Sequence, residues 1–310
     1  MSDDAAVHGL GAIPDDPDER DFPIDALYAA DDLVPTPLDA LPASYACPGM
    51  PPVLDQGDSP MCVAYSSSAV KARQDRLDQL RFFDFDEPRF FREIGGTSAG
   101  AQVRWAMERM RTTGYPVVRT GDPAHHRIAA YYAVPAEFGA MRQAIVDLGP
   151  IVVSTPWYRS WFHPVAGVLP EPDVEVGGHA IAAYGWDARG LLLRNSWGSG
   201  WGMSGDCILP AVYIARTRGA WKSADVIDHP LTYSHVVAVT ASPSLRVRTR
   251  PTVAAPQVAS APRGRQLPTH QLERYGGRYT ATGKARTDWL QVTSGGHVGW
   301  VARGYTRLVK

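Results

Sequence analysis

The chain has 310 residues, 45% hydrophobic and 20% charged, with a formal net charge of −1, the composition of an ordinary globular protein with a sizeable core. No run approaches the ~18 continuous apolar residues of a membrane helix, and the acidic start MSDDAAVHGLGAIPDDPDER lacks the apolar segment of a secretory leader, so a cytoplasmic location with no membrane partner is expected, with export by another route as the alternative. Three cysteines, Cys47, Cys62 and Cys207, cannot build a disulfide framework and form no CxxC pair, which argues for a reducing compartment and against a structural zinc site.

Residues 1–45 are rich in Asp and Pro and weakly periodic, the pattern of an extended arm laid on a domain surface. Residues 62–80 then read as a helix that opens on Cys62. Residues 96–111, GTSAGAQVRWAMERMR, read as a second helix with Thr97 or Ser98 as cap, and residues 136–148 as a third. His125-His126 reads as a surface pair rather than a ligand set. Short β-type runs bounded by Gly and Pro follow at residues 151–154, 179–184 and 191–194. Helices first and strands second favour an α+β fold, a helical half meeting a β half. Past residue 228 the chain is β-like throughout, the pattern of a small barrel.

Charge is unevenly spread: residues 1–60 carry about thirteen acids against one arginine, whereas residues 231–310 carry about a dozen Lys and Arg against two acids. Solvated surfaces account for this asymmetry, and so does a C-terminal module aimed at an anionic polymer or an acidic protein surface. The basic residues lack interleaved aromatic platforms, which argues against nucleic acid, and no cofactor or metal is implied.

The chemistry concentrates on Cys62. A cysteine in the first turn of a helix feels the aligned backbone dipoles, which favour the thiolate nucleophile. It then needs an imidazole partner and an acceptor that orients the imidazole. Gly177-Gly178-His179-Ala180 supplies a histidine at a strand start, and Arg194-Asn195-Ser196-Trp197-Gly198-Ser199-Gly200-Trp201-Gly202 an amide at a strand end. These residues resemble, in order and kind, the papain-like cysteine peptidases. Gln56 stands six residues before Cys62, then follow GGHA with His179 and NSWGSGWG with Asn195.

The resemblance, over roughly residues 40–215, implies a two-lobed papain-like peptidase domain. Cys62 would be nucleophile, His179 base and later acid, and Asn195 the imidazole's holder. Gln56, with the Cys62 backbone N–H, would form the oxyanion hole, and Trp197 would shield the Asn195–His179 hydrogen bond. Gly95-Gly96 resembles the family's glycine edge, where Gly95, Gly96 and Gly178 would meet an extended substrate peptide. Trp201 reads as core. Trp157-Tyr158 and Trp161-Phe162 read either as core or as an aromatic ledge near the cleft. The IPDDPDERDF stretch resembles the arm of bacterial members, and Leu245 to Val301 resembles a bacterial SH3-like domain, whose relatives tether hydrolases or bind accessory partners.

The resulting division is an acidic arm at 1–40, a peptidase domain at 41–228 and an SH3-like barrel at 229–310. There are departures from the family pattern. Ser59-Pro60-Met61 replaces the usual Cys and Gly ahead of the nucleophile, and Val63 replaces the aromatic after it. His179 and Asn195 follow Cys62 by 117 and 133 residues, 179−62 and 195−62, which implies shortened loops. No helical pro-segment of the usual kind precedes the domain, so a zymogen would have only the acidic arm to block it. Peptide hydrolysis is the leading activity. Acyl transfer or cell-wall peptide hydrolysis by the same triad, and a non-catalytic binding protein on the same fold, are the alternatives.

Overall fold

A computed structural model describes residues 8–19, 21–30, 34–79, 82–118, 126–225, 235–273 and 276–309. The chain divides into two compact units that change over at Val226–Ile227, the end of one long helix aside. The predicted junction at 228/229 and His125 lie outside the described residues.

In the first unit the arm contributes β1 (Ala12–Ile13) and α1 (Ile24–Ala30), and β2 (Tyr45–Ala46) follows. Next come α2 (Cys62–Gln79), α3 (Glu87–Glu93), β3 (Ala101–Gln102) and α4 (Val103–Thr112). Asp86 caps α3 by accepting from the Arg89 backbone N–H at 3.0 Å, with Pro88 in the first turn, a helix that sequence periodicity alone did not disclose. The helix predicted over 96–111 begins only at Val103. Gly95 and Gly100 sit at φ +73° and +109°, outside helical space, and Thr97 and Gly100 close a turn instead.

The β half is one sheet in the order β4 (Ile128–Ala133), β9 (Gly219–Asp225), β5 (Ile151–Tyr158), β6 (Glu175–Asp187), β7 (Gly190–Arg194), β8 (Asp206–Pro210), with β2 on β6. The helix α5 (Phe138–Leu148) ends at Gly149, φ +97°. Every residue of β5 is buried. Alternation sends Ile151 and Val153 into one core with α5 and Val152 into another with α2, α3 and α4. On β6, Ile181 and Ala183 likewise face the first core and Ala180 and Ala182 the second. The central strands are therefore the wall between the two lobes. His179 and Cys62, from opposite lobes, both abut it.

The second unit is a seven-stranded antiparallel sheet. Its order is β12 (Gln257–Pro262), β11 (Ser244–Arg248), β17 (His297–Ala302), β16 (Trp289–Ser294), β13 (Gln266–Glu273), β10 (Val236–Val239), β18 (Thr306–Leu308), and β14 (Tyr279–Ala281) pairs with β15 (Lys284–Arg286). Leu245, Val247, Leu290, Val292 and Val301 form its core. Strand alternation turns Arg246 outward and leaves Arg248 half-buried, whereas Arg250 lies beyond the strand end.

Candidate active site

Cys62 is the first residue of α2 and is fully buried, as are Val63 and Ala64 behind it. Its Sγ accepts from the Ala180 backbone N–H at 3.4 Å, which joins the helical lobe to β6 beside His179. On the imidazole, Nε2 meets Asn195 Oδ1 at 2.7 Å. That oxygen also accepts the Ser196 backbone N–H at 2.8 Å, so Nε2 carries the proton and Nδ1 is the unprotonated nitrogen. Trp157 and Trp197 pack against the ring at centroid distances of 4.8 and 4.7 Å, and His179 and Asn195 are both buried.

Asn195 is held by its place at the end of β7. Arg194 grips Asp206 on β8 with two contacts of 2.9 Å, and the Asn195 N–H donates to Gly205 O at 2.9 Å. The next residue, Ser196, was not singled out from the sequence. Its hydroxyl donates to Gln56 Oε1 at 2.6 Å and its carbonyl accepts the Gln56 N–H at 2.8 Å. These bonds fix the Gln56 carboxamide, whose Nε2 is directed at Gly9 O and Ser59 O. Ser196 lies 140 residues from Gln56, so no local pattern could have marked it.

The cleft is filled by the chain's own arm. Gln56 Nε2 donates to the Gly9 carbonyl at 3.1 Å as well as to Ser59 O at 2.6 Å. Gly9 N donates to Gly57 O and Gly11 N to Gly178 O, both at 3.0 Å, while Ala101 N donates to Gly11 O at 2.9 Å. β1 then pairs in parallel with β3, and His8 stacks on Trp197 at 4.6 Å. Outside the covered stretch, His8, Val53, Asp55, Trp197, Gly200 and Trp201 border an open pocket of 570 Å³. A clasp holds the arm beyond the cleft. Arg104, 6% exposed, binds Asp21 at 2.8 and 2.6 Å, and its N–H donates to Asp15, which also accepts from Trp221 at 2.9 Å.

This cover changes the electrostatics expected of Cys62. N–H groups of Ala180, Gly11 and Val63 favour the thiolate, but burial outweighs them and pushes the thiol up to about 11. Burial likewise pushes the His179 imidazole down to about 4, against the support of Asn195. Burial therefore works against the thiolate expected from the helix start and disfavours charge on both side chains. His179 Nδ1 has no hydrogen-bond partner among the described residues.

Other sequence expectations sort as follows. Gly178 lies on the arm, and Trp197 covers the histidine. Gly95 and Gly96 close the end of α3, their N–H groups donating to Arg92 O and Phe91 O, and the arm pairs with the backbone at Ala101 and Gln102. His126 is not a surface residue but 3% exposed, packed at 4.6 Å on Phe83 and 5.3 Å on Phe85. Trp157, Tyr158, Trp161 and Phe162 are core rather than ledge, and Trp201 joins them through a 2.9 Å bond to Phe162 O. Cys47 and Cys207 are buried and in no disulfide, and the Cys47 thiol donates to Ile145 O at 3.8 Å. Among the described residues no group of three His, Cys, Asp or Glu could hold a metal, and no helix is long and apolar enough to cross a membrane.

Residues 100–211 match the family model "Papain family cysteine protease". His179 and Asn195 fall inside that stretch; Gln56 and Cys62 precede it. An uncharacterized peptidase C1-like protein of Acanthamoeba polyphaga mimivirus is 22% identical over 218 residues, 56% of this chain and 70% of that one. The gut-specific cysteine proteinase of Caenorhabditis elegans is 32% identical over 98 residues, 30% of this chain and 29% of the relative. Among solved structures, xylellain, a cysteine protease from Xylella fastidiosa, superposes with a TM-score of 0.59 at 24% identity, over 71% of this chain and 97% of its own. A cysteine protease of Carica candamarcensis in complex with E-64 gives 0.52 at 17%, over 60% and 99%. The α+β fold of the first unit is thus the papain-like peptidase fold.

Proposed function

Starting from a papain-like cysteine peptidase domain, we propose that the chain hydrolyses peptide bonds with Cys62 as nucleophile, His179 as base and acid, Asn195 as orienter and Gln56 as oxyanion donor. With the arm displaced, His179 Nδ1 takes the thiol proton and Sγ attacks the peptide carbonyl. The developing oxyanion is held by Gln56 Nε2 and the Cys62 N–H. His179 then gives its proton to the leaving amine, and water, deprotonated by the same imidazole, releases the acyl group. The observation that carries this reading is the Gly9 carbonyl: a peptide carbonyl already lies 3.1 Å from Gln56 Nε2 in the cleft that holds Cys62 and His179.

The same observation supports latency, with the arm of residues 1–40 blocking a domain of residues 41–228. The β-rich unit, as residues 229–310, is read as an SH3-like module for targeting or accessory binding, supported by its small antiparallel sheet and the outward Arg246. Its partner would be an anionic polymer or an acidic protein surface, and binding that ignores salt would count against this.

The test is an epoxide thiol probe near pH 6, with adducts located by mass spectrometry. It is applied to the full chain and to Arg104→Gln, which cuts the arm's clasp, alongside Cys62→Ser and His179→Ala. Labelling should fall on Cys62, rise on clasp release and vanish without His179. Labelling of Cys62 no faster than Cys47 or Cys207 in the released variant would sink the reading.

A further inference from the structure

The arm shows what shape of peptide the cleft admits. At Gly9 an added Cβ would lie 1.9 Å from Ser59 O, and at Gly11 it would lie 2.2 Å from Pro60 O. The opposite wall is as close: a Cβ on Gly178 would lie 2.0 Å from Ala12 O, and one on Gly100 would lie 1.8 Å from Gly11 O. All four obstacles are backbone oxygens, so no rotamer change relieves them. The Ser59 turn is also braced, its hydroxyl donating to Gln56 O at 2.6 Å and its carbonyl accepting from Gln56 Nε2 at 2.6 Å, with Pro60 fixing φ beside it. Between the two glycines, Leu10 lies against Gly177 and packs on the aromatic and aliphatic core of the β lobe. The slot is thus one bare backbone thick at two alternate positions, with an apolar niche between them.

We infer that the peptidase selects peptides carrying glycine, an apolar residue and glycine in succession, the pattern that its own arm presents, with Ser59 and Pro60 as the specificity-determining wall. This rests on the reading of Cys62 and His179 as the reacting pair. It also gives the Ser59-Pro60-Met61 departure a role, since that turn supplies the oxygens that bar a side chain.

The experiment uses the full-length chain with Gly9→Val and Gly11→Val, which the slot excludes, so that the arm leaves. Arg104→Gln, which adds no bulk, serves as an independent release variant should the double valine fold poorly. Matched peptides with a Gly-Leu-Gly, Ala-Leu-Ala or Gly-Asp-Gly centre are compared by kcat/KM, beside a mixed-sequence peptide library. A Gly-Leu-Gly peptide cleaved at least tenfold better than either partner is the expected result. Equal rates, or cleavage of the library at other sequences, overturn the glycine selectivity and leave the peptidase reading standing. No cleavage of any peptide together with no Cys62 labelling overturns the peptidase reading and this inference with it. A peptide of residues 8–13 added to the released enzyme should also protect Cys62 from the probe, at concentrations at least tenfold below its Gly→Ala counterpart; equal protection would speak against the slot.

Discussion

Ser196 holds Gln56 at two points, its hydroxyl donating to the carboxamide Oε1 and its carbonyl accepting the Gln56 backbone N–H, so the proposed oxyanion donor is braced against turning away. Ser196→Ala leaves Gln56 Oε1 buried without that partner, a cost of about 1–3 kcal/mol that the side chain can escape only by rotating. The expected outcome is a fall in kcat of up to about 10²-fold with KM little changed, since a donor lost from the transition state is not lost from the ground state. Steady-state kinetics on the arm-released enzyme would check it, and a pure rise in KM would contradict it. Asn195→Ala should act differently, freeing the His179 ring and shifting the acid limb of the pH profile. Cys62, His179, Asn195 and Gln56, the proposed reacting set, could be picked out in sequence because each sits in a short, ordered motif. Ser196 could not, because its role exists only where the β7–β8 corner meets the turn before α2. The direction of the Cys62 shift was not legible either: a helix start favours the thiolate, and burial, which sequence does not display, pushes the thiol the other way.

At the scale of elements, the arm is a strand, a clasp and a helix acting in series. Its β1 adds to β3, the Arg104–Asp21 pair ties the stretch after β1, and Ile24 and Tyr28 of α1 sink into the β-lobe core. Sequence reading saw an extended surface arm. It missed β1 and α1 because two- and seven-residue elements stabilised by partners far along the chain carry little periodicity of their own. The groups around the cleft also set how the arm responds to pH. Burial holds His179 down to about 4, below its ordinary 6.5, with Asn195 opposing and His8 adding to the shift. An open, hydrated cleft restores the ordinary value, so the open state binds more protons between about 6.5 and 4. Closure is therefore fully favoured above that window and weakens as pH falls through it. Asp15, raised by burial, works in the opposite sense, its protonation favouring the seated arm. If the histidine dominates, protection of the Gly9 and Gly11 amides from hydrogen exchange, corrected for intrinsic rates, should decline from pH 7 to pH 5. Constant or rising protection would show that Asp15 dominates instead.

For the molecule as a whole, each unit has a core of its own. Leu290 of β16 is fully buried among Val247, Leu267 and Val301, so Leu290→Ala should cost about 2–5 kcal/mol in the β-rich unit. The loss would be read as faster exchange of the β16 and β17 amides, and an unchanged pattern would mean that the unit relaxes around the cavity. The order of helices then strands was legible in the sequence and gave the α+β class. That β5 and β6 serve two cores was not, because a strand buried on both faces reads as a plain apolar run. The arm's seat has a consequence for anyone seeking ligands of this protein. A tethered occupant competes at an effective concentration that can reach the millimolar range for a short flexible link, whatever the protein concentration. A compound screened against the intact chain is thus matched against a ligand that dilution never removes. Its apparent affinity is weakened by the ratio of that local concentration to the arm's own dissociation constant. Good binders would be passed over unless the tether were released first.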